Sequence, residues 1–193
     1  MAARFVYWMN VSLDGMIERP GPQAGDDGWL RIGEPLHREF NARARALSMS
    51  VEGRVIYEMM EDYWPAARDD ESLEDVLREY GGIWTDMPKI LVSRTRTTAG
   101  HNTEVYGEDA LERLAALRAD TDGDIGVGGA TLATQLMREG LLDELLLFVH
   151  PVVLGSGRPL FDVVPEPLQL DLIEAREYDD SVGLRRYAVR GAR

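Results

Sequence analysis

Three short stretches carry residue types suited to phosphate chemistry. Gly128-Gly129-Ala130-Thr131 falls where the short strand expected at Asp124–Val127 gives way to a helical pattern. Backbone N–H groups at a helix start point outward with partial positive charge, and glycine, lacking Cβ, lets a phosphate approach the backbone. The same residues also suit a plain glycine turn. Gly53-Arg54 repeats the arrangement between a short strand and a helix. Its glycine gives backbone access and its guanidinium offers a fork shaped for phosphate oxygens; a surface arginine beside a turn is the competing reading. Ser93-Arg94-Thr95-Arg96-Thr97-Thr98 follows the strand pattern of residues 89–93. Guanidinium and hydroxyl groups together suit a phosphate monoester, or else a solvated loop. A Rossmann fingerprint fails: Gly126-Val127-Gly128 begins one, but Thr131 holds the third glycine position and Asp143-Glu144 precede the following strand. No Gly-Lys-Ser/Thr of a Walker loop occurs.

The elements that must position these stretches alternate. Residues 4–11 are β-rich with almost no polar interruption, as in a strand covered on both faces. Ser12-Leu13-Asp14-Gly15 ends it, and residues 18–28, rich in Pro, Gly and Asp, read as a loop. Pro35 opens a helix to about Leu47, with Leu36, Phe40, Ala44 and Leu47 as its stripe. A short strand at 49–52 leads to a helix ending near Asp62, then a loop from Pro65 to Glu71. Ser72 is expected to cap a helix from Leu73, with Asp75 three residues on. Strands follow at 89–93, 103–106, 124–127 and 145–149, with helices at 108–118 and 130–138, the latter closed by Gly140. Residues 168–178 and 182–189 make a final antiparallel pair around Asp179-Asp180-Ser181. The alternation predicts an α/β mixed sheet in a single domain, residues 1–193. All three phosphate-suited stretches then lie at C-terminal ends of strands, the edge where such sheets bind ligands. A ligand with a pyrophosphate and one further phosphate would use all three, and NADPH is such a ligand.

Composition narrows the rest. There is no cysteine among 193 residues, which removes disulfides, thiolate catalysis and zinc–thiolate sites. His37, His101 and His150 are far apart and form no metal-binding pair, so no metal is expected. A net charge of −13 disfavours nucleic acid and anionic membrane. No apolar run approaches a membrane span and the start lacks a signal-peptide core, so a cytoplasmic chain is expected. Lys89 is the only lysine.

Seven stretches in order resemble a known family. They are Ser12-Leu13-Asp14-Gly15, Gly53-Arg54-Val55-Ile56-Tyr57-Glu58, Tyr63-Trp64-Pro65, the run from Pro88 to Thr95, Gly128-Gly129-Ala130-Thr131-Leu132, the run from Leu141 to Leu145, and the run from Pro151 to Phe161. Together they resemble the reductase domain of the bifunctional deaminase-reductase of riboflavin synthesis and its stand-alone relatives in the dihydrofolate-reductase-like superfamily. The resemblance implies a mixed, mostly parallel sheet flanked by helices, with a C-terminal antiparallel hairpin. It implies a homodimeric NADPH-dependent reductase of a small heterocycle, similar to 5-amino-6-(5-phosphoribosylamino)uracil reductase or dihydrofolate reductase. Carried over by residue, Gly53 and Arg54 meet the cofactor phosphates, Ser93, Arg94 and Thr95 surround the 2′-phosphate, and Gly128, Gly129, Ala130, Thr131 and Leu132 cradle the pyrophosphate. Asp14, and the pair Glu61-Asp62, are candidates for orienting the substrate or delivering a proton, and Trp64 for an aromatic wall of the substrate pocket. Loop residues 17–34 and 61–71 are expected to shape that pocket. The sequence departs from the family pattern at Glu52, where an apolar residue is usual, and at Ile56, where threonine is usual. The acid that dihydrofolate reductases place four residues before a helical Phe falls here on Leu36. The alternative reading is a dimeric nucleotide- or ligand-binding module without turnover.

Overall fold

The structure, a computed structural model, describes residues 2–19, 28–163, 166–178 and 181–191. Most of the expected loop 18–28, namely residues 20–27, and the turn residues Asp179 and Asp180 lie outside the described residues.

The order of elements is β1 (Arg4–Ser12), β2 (Met16–Glu18), α1 (Glu34–Ala46), β3 (Leu47–Gly53), α2 (Arg54–Asp69), α3 (Asp75–Asp86), β4 (Lys89–Val92), β5 (Thr103–Tyr106), α4 (Ala110–Asp120), β6 (Asp124–Gly128), α5 (Ala130–Arg138), β7 (Leu142–His150), β8 (Arg158–Pro159), β9 (Leu170–Glu177) and β10 (Gly183–Val189). Eight strands form one sheet in the order β5-β4-β3-β6-β1-β7-β10-β9, and β2 pairs with β8 in a small second sheet. The first six are mutually parallel; β10 runs antiparallel to both β7 and β9. This is the expected mixed sheet with its terminal antiparallel pair.

Successive side chains of a strand point to opposite faces, so a central strand must be apolar on both. In β1, Phe5, Tyr7 and Val11 pack with Leu114 of α4 and with Leu132, Ala133 and Leu136 of α5. Val6 lies on the other face with Leu36 and Phe40 of α1, Leu146 and Phe148 of β7, and Leu184 of β10. A third cluster, Tyr57, Trp84 and Leu91, joins α2 and α3 to β4.

Three expected boundaries are corrected. Helix α2 does not stop near Asp62; it runs through Pro65 to Asp69. Proline removes one helical hydrogen bond and crowds the preceding turn. The packing of the second half of α2 against α3 outweighs this: Ala67 is buried, and a Cβ at Gly81 of α3 would lie 2.7 Å from both the Trp64 carbonyl oxygen and the Arg68 nitrogen. Ser72 does not cap α3, which starts at Asp75 without a side-chain cap. Asp70 captures it instead, accepting from the Ser72 N–H (2.9 Å) and hydroxyl (2.7 Å). A local turn headed by Asp thereby displaces the cap. Helix α1 stops at Ala46, and Leu47 starts β3 rather than completing the helical stripe. Its Cδ1 occupies the space that a Cβ at Gly126 would need, 2.7 Å away.

The site at the strand ends and its relatives

Register brings the three phosphate-suited stretches side by side. Gly53 pairs with Val92, the residue before Ser93, and Glu52 pairs with Gly128, so β4, β3 and β6 end next to one another. Adjacent strands lie ~4.8 Å apart, so the three ends form one strip roughly 10 Å wide.

Two helices start on that strip. Gly53 is the N-cap of α2 and Gly129 the N-cap of α5, and neither helix has a side-chain cap. The caps touch: a Cβ at Gly53 would sit 3.7 Å from the Gly128 carbonyl oxygen, and one at Gly129 would sit 3.8 Å from the Gly53 nitrogen. Gly129 also has φ of 101°, which glycine adopts without strain. Two positive helix ends without side-chain caps therefore meet there, with the Ile56 side chain beside them. Ala130 and Leu132 are buried on the core side, so they face this strip through backbone N–H only.

Four arginines stand around it, unequally committed. Arg54 donates to Glu58 (2.7 Å). Arg96 is held by Glu61 (2.6 Å) and lies over the Tyr57 ring at 5.3 Å. Arg158 reaches the first turn of α5 from the distant segment after β7, donating to the Thr131 hydroxyl (2.7 Å) while paired with Asp162 (2.8 Å). Arg94 is exposed and, among the described residues, makes no ion pair or side-chain hydrogen bond. The expected Arg94–Arg96 cluster is thus divided into one engaged and one free guanidinium. The Ser93 hydroxyl oxygen accepts from the N–H groups of Thr95 (3.2 Å) and Arg96 (3.0 Å), folding the turn that presents Arg94 and Thr95 outward. Arg158 carried no signal of its own in the sequence; only tertiary contact brings it to Thr131.

The three substrate-side candidates behave differently. Asp14 accepts from the Ser12 hydroxyl (2.6 Å) and from the N–H groups of Leu154 (3.0 Å) and Gly155 (2.7 Å). Those donors, Ser12 first, hold its carboxyl down at about 2. A carboxylate held by these donors clamps the turn after β1 to the segment after β7. Glu61 is taken up by Arg96 and Tyr57. Trp64 packs against Tyr80 (4.5 Å between ring centres), Tyr63 and His37 and donates to the Met60 sulfur, so it belongs to an aromatic cluster joining α1, α2 and α3. Leu36 is a core residue beside Phe40, which leaves no acid at that place on α1.

Two further polar groups lie beneath the same edge. His150, fully buried at the end of β7, accepts the Arg31 N–H at Nδ1 (3.0 Å), so its proton is on Nε2 and goes to Asn10 Oδ1 (3.0 Å). Burial, with Arg31 adding to it, lowers it to about 4, so it is neutral at pH 7. Glu52 is buried immediately before Gly53. At the opposite end of the sheet, a cavity of about 100 Å³ is lined by Val6, Trp8, Gly126, Arg43 and Arg186. Its arginines are closed on Glu39, Glu174, Asp124 and Glu144, so they offer no free charge to a ligand. Among the described residues no group of three His, Cys, Asp or Glu is arranged for a metal ion, and no helix is long and apolar enough to cross a membrane.

A parallel sheet with its penultimate strand reversed, and helix starts gathered at one edge, defines a dihydrofolate-reductase-like α/β protein. Within that class the chain belongs to the RibD C-terminal domain family, which it matches over residues 5–184. It is 36% identical over 189 residues to the uncharacterized protein YwjB of Bacillus subtilis (strain 168), covering 95% of this chain and 97% of that one. Its fold is similar to the deaminase/5-amino-6-(5-phosphoribosylamino)uracil reductase of Thermotoga maritima, at 15% identity and TM-score 0.63. That match covers 97% of this chain and 57% of the longer one. It is also similar to a dihydrofolate reductase from Enterococcus faecalis complexed with NADP(H) and RAB-propyl, at 12% identity, TM-score 0.63 and 98% and 99% coverage.

Proposed function

We propose that this chain is an NADPH-dependent reductase of a small heterocyclic substrate, working as a homodimer. The observation that carries the reading is the meeting of two uncapped helix starts through Gly53, Gly128 and Gly129. A pyrophosphate needs close backbone approach and several N–H donors at once, and that junction supplies both. The residues present fit the group: a Cβ at Gly129 would fall within van der Waals distance of Gly53 and Ile56, closing the space. Gly53, Gly128, Gly129, Ala130, Thr131 and Leu132 then hold the pyrophosphate through backbone groups, with Arg54 beside them. Ser93 shapes the turn that offers Arg94 and Thr95 to the 2′-phosphate, Arg94 being the cation with no internal partner. The bound dinucleotide supplies the hydride; the chain aligns the acceptor and supplies a proton.

Family membership and the NADP(H)-bound likeness support this reading. The commitment of Asp14 to the fold favours the second reading, a dimeric ligand-binding module without turnover. Thermal unfolding separates cofactor choice. Saturating NADPH should raise the midpoint more than NADH does, by mass action on the folded state. Arg94→Ala should weaken NADPH on the order of tenfold to a hundredfold, from the loss of charge-assisted hydrogen bonds, and leave NADH nearly unaffected. Equal shifts for the two cofactors, or unchanged NADPH affinity in Arg94→Ala, would remove the 2′-phosphate assignment. Steady oxidation of NADPH with any member of a panel of cyclic imines and carbonyl compounds would dispose of the module reading.

A further inference from the structure

The phosphate cradle described above consists of backbone groups, and the arginine beside it, Arg54, is tied to Glu58 (2.7 Å). A second cation stands on the cradle. Arg158 forms β8 with Pro159 and carries its guanidinium to the first turn of α5, just after the Gly129 N-cap. There its Nη2 donates to the Thr131 hydroxyl (2.7 Å). The same Nη2 meets Asp162 Oδ1 (2.8 Å). A guanidinium carries N–H donors on every nitrogen. Among the described residues, Nε and Nη1 of Arg158 have no partner, and the side chain is 40% exposed. Arg158 is thus aimed by one nitrogen and leaves the rest of its fork open.

The segment that carries Arg158 is fastened at several points. Arg158 itself pairs with Glu18 of β2. Gly157 permits that pairing: its φ is 150°, and a Cβ there would lie 2.0 Å from the Glu18 carbonyl oxygen. The Leu160 N–H donates to the Gly15 carbonyl oxygen (2.9 Å), and the Leu160 carbonyl accepts from the Tyr7 hydroxyl (3.0 Å). The Asp162 N–H donates to Thr134 Oγ1 (3.0 Å), about one turn along α5 from Thr131. Residues 158–162 therefore lie along the start of α5, and Arg158 is ordered before any ligand arrives, which lowers the entropic cost of a further contact. Its position is electrostatically unfavourable by itself. A helix start carries partial positive charge and favours anions, so a guanidinium set there opposes the dipole. Asp162 answers only one of its nitrogens. An anion between the open fork and the N–H groups of α5 satisfies both.

We propose that Arg158 is a phosphate-binding residue of the cofactor site, offering its open fork to the pyrophosphate at the start of α5. This rests on the cofactor reading above. The two arginines then divide the dinucleotide between them. Arg94 reads the 2′-phosphate, which distinguishes NADPH from NADH, and Arg158 reads the pyrophosphate, which the two share. Arg158 also belongs to the β2–β8 pair, so a bound pyrophosphate joins that small sheet to the large one.

Titration calorimetry of the whole chain with NADPH and with NADH tests the division without a known substrate. Arg158→Gln should weaken both cofactors by a similar factor, on the order of tenfold, as expected for lost hydrogen bonds to a charged group. Arg94→Ala, in contrast, should weaken NADPH alone. Unchanged affinity for both cofactors in Arg158→Gln, whatever its melting temperature, would make Arg158 a fastening of the fold and overturn the proposal. A loss confined to NADPH would overturn it too. Should Arg158→Gln fail to fold, Asp162→Asn carries the test, since it removes the ion pair and keeps the cation. It should tighten NADPH by roughly two- to fivefold, the scale of an exposed ion pair; unchanged or weaker binding would count against Arg158. If the wild type bound neither cofactor, the cofactor reading itself would fall, a result distinct from any difference among variants.

Discussion

Asp14 shows how a residue can stand at the right place for chemistry and be used for the fold. Its three donors come from two segments about 140 residues apart, Ser12 on one side and Leu154 and Gly155 on the other. With its pKa lowered from 3.8 to about 2, the sign of the linkage is fixed. The folded chain binds this proton less readily than the unfolded one, so the clamp stabilises the fold above the ordinary pKa and is lost as pH falls through about 2. Asp14→Asn should therefore lower the thermal midpoint at neutral pH, and its difference from wild type should shrink on acidification. Melts in parallel across that range check this; a pH-independent difference would mean that the charge is not what holds the clamp. Glu52 departs from an apolar position, and the fold buries it with one oxygen hydrogen-bonded and the other bare.

At the scale of elements, the α2–α3 pair carries the clearest consequence. Gly81 lies where the two helices touch backbone to backbone, while a Cβ at Gly82 would meet nothing within 4 Å. Both glycines cost helix propensity equally, so alanine at each position separates propensity from contact. Gly82→Ala should stabilise by up to about 1 kcal/mol. Gly81→Ala should destabilise by roughly 1–3 kcal/mol, the range for overpacking a tight contact. Denaturant titrations of both variants give the comparison, and equal effects would show that α2 and α3 do not need this close approach. The same contact explains why Pro65 misleads in the sequence. A local rule ends the helix there, and burial against a partner some fifteen residues further along continues it. Ser72 misleads in the same way, because its competing acceptor, Asp70, is as local as the cap it displaces.

For the whole molecule, the β9 edge strand leaves Leu172 and Ile173 more than half exposed at the end of the eight-stranded sheet. An unpaired edge with apolar side chains is a surface that proteins tend to cover. The proposed homodimer is checked by light scattering, which should report twice the 21.6 kDa chain; a monomer mass would remove the dimer from the reading. The net charge of −13 makes the local arrangement of arginines at the strand ends the more consequential for an anionic ligand.

The sequence by itself determined the alternation of strands and helices, the central character of β1 and β7, the reversed terminal strand pair, and the location of Gly53, Ser93 and Gly128 at strand ends. These follow from hydrophobic period and from glycine chemistry, which act within a few residues and can be read along the chain. Tertiary structure alone decided which arginine is free, that Arg158 joins Thr131, that Asp14 is a clamp, and that Glu52 is buried with one oxygen bare. Each of these depends on a partner far away in sequence, and a charged side chain takes its state from whatever the fold places against it. Lys89 makes the same point: the fold buries the single lysine as a cap on the end of α3, and burial lowers it to about 8.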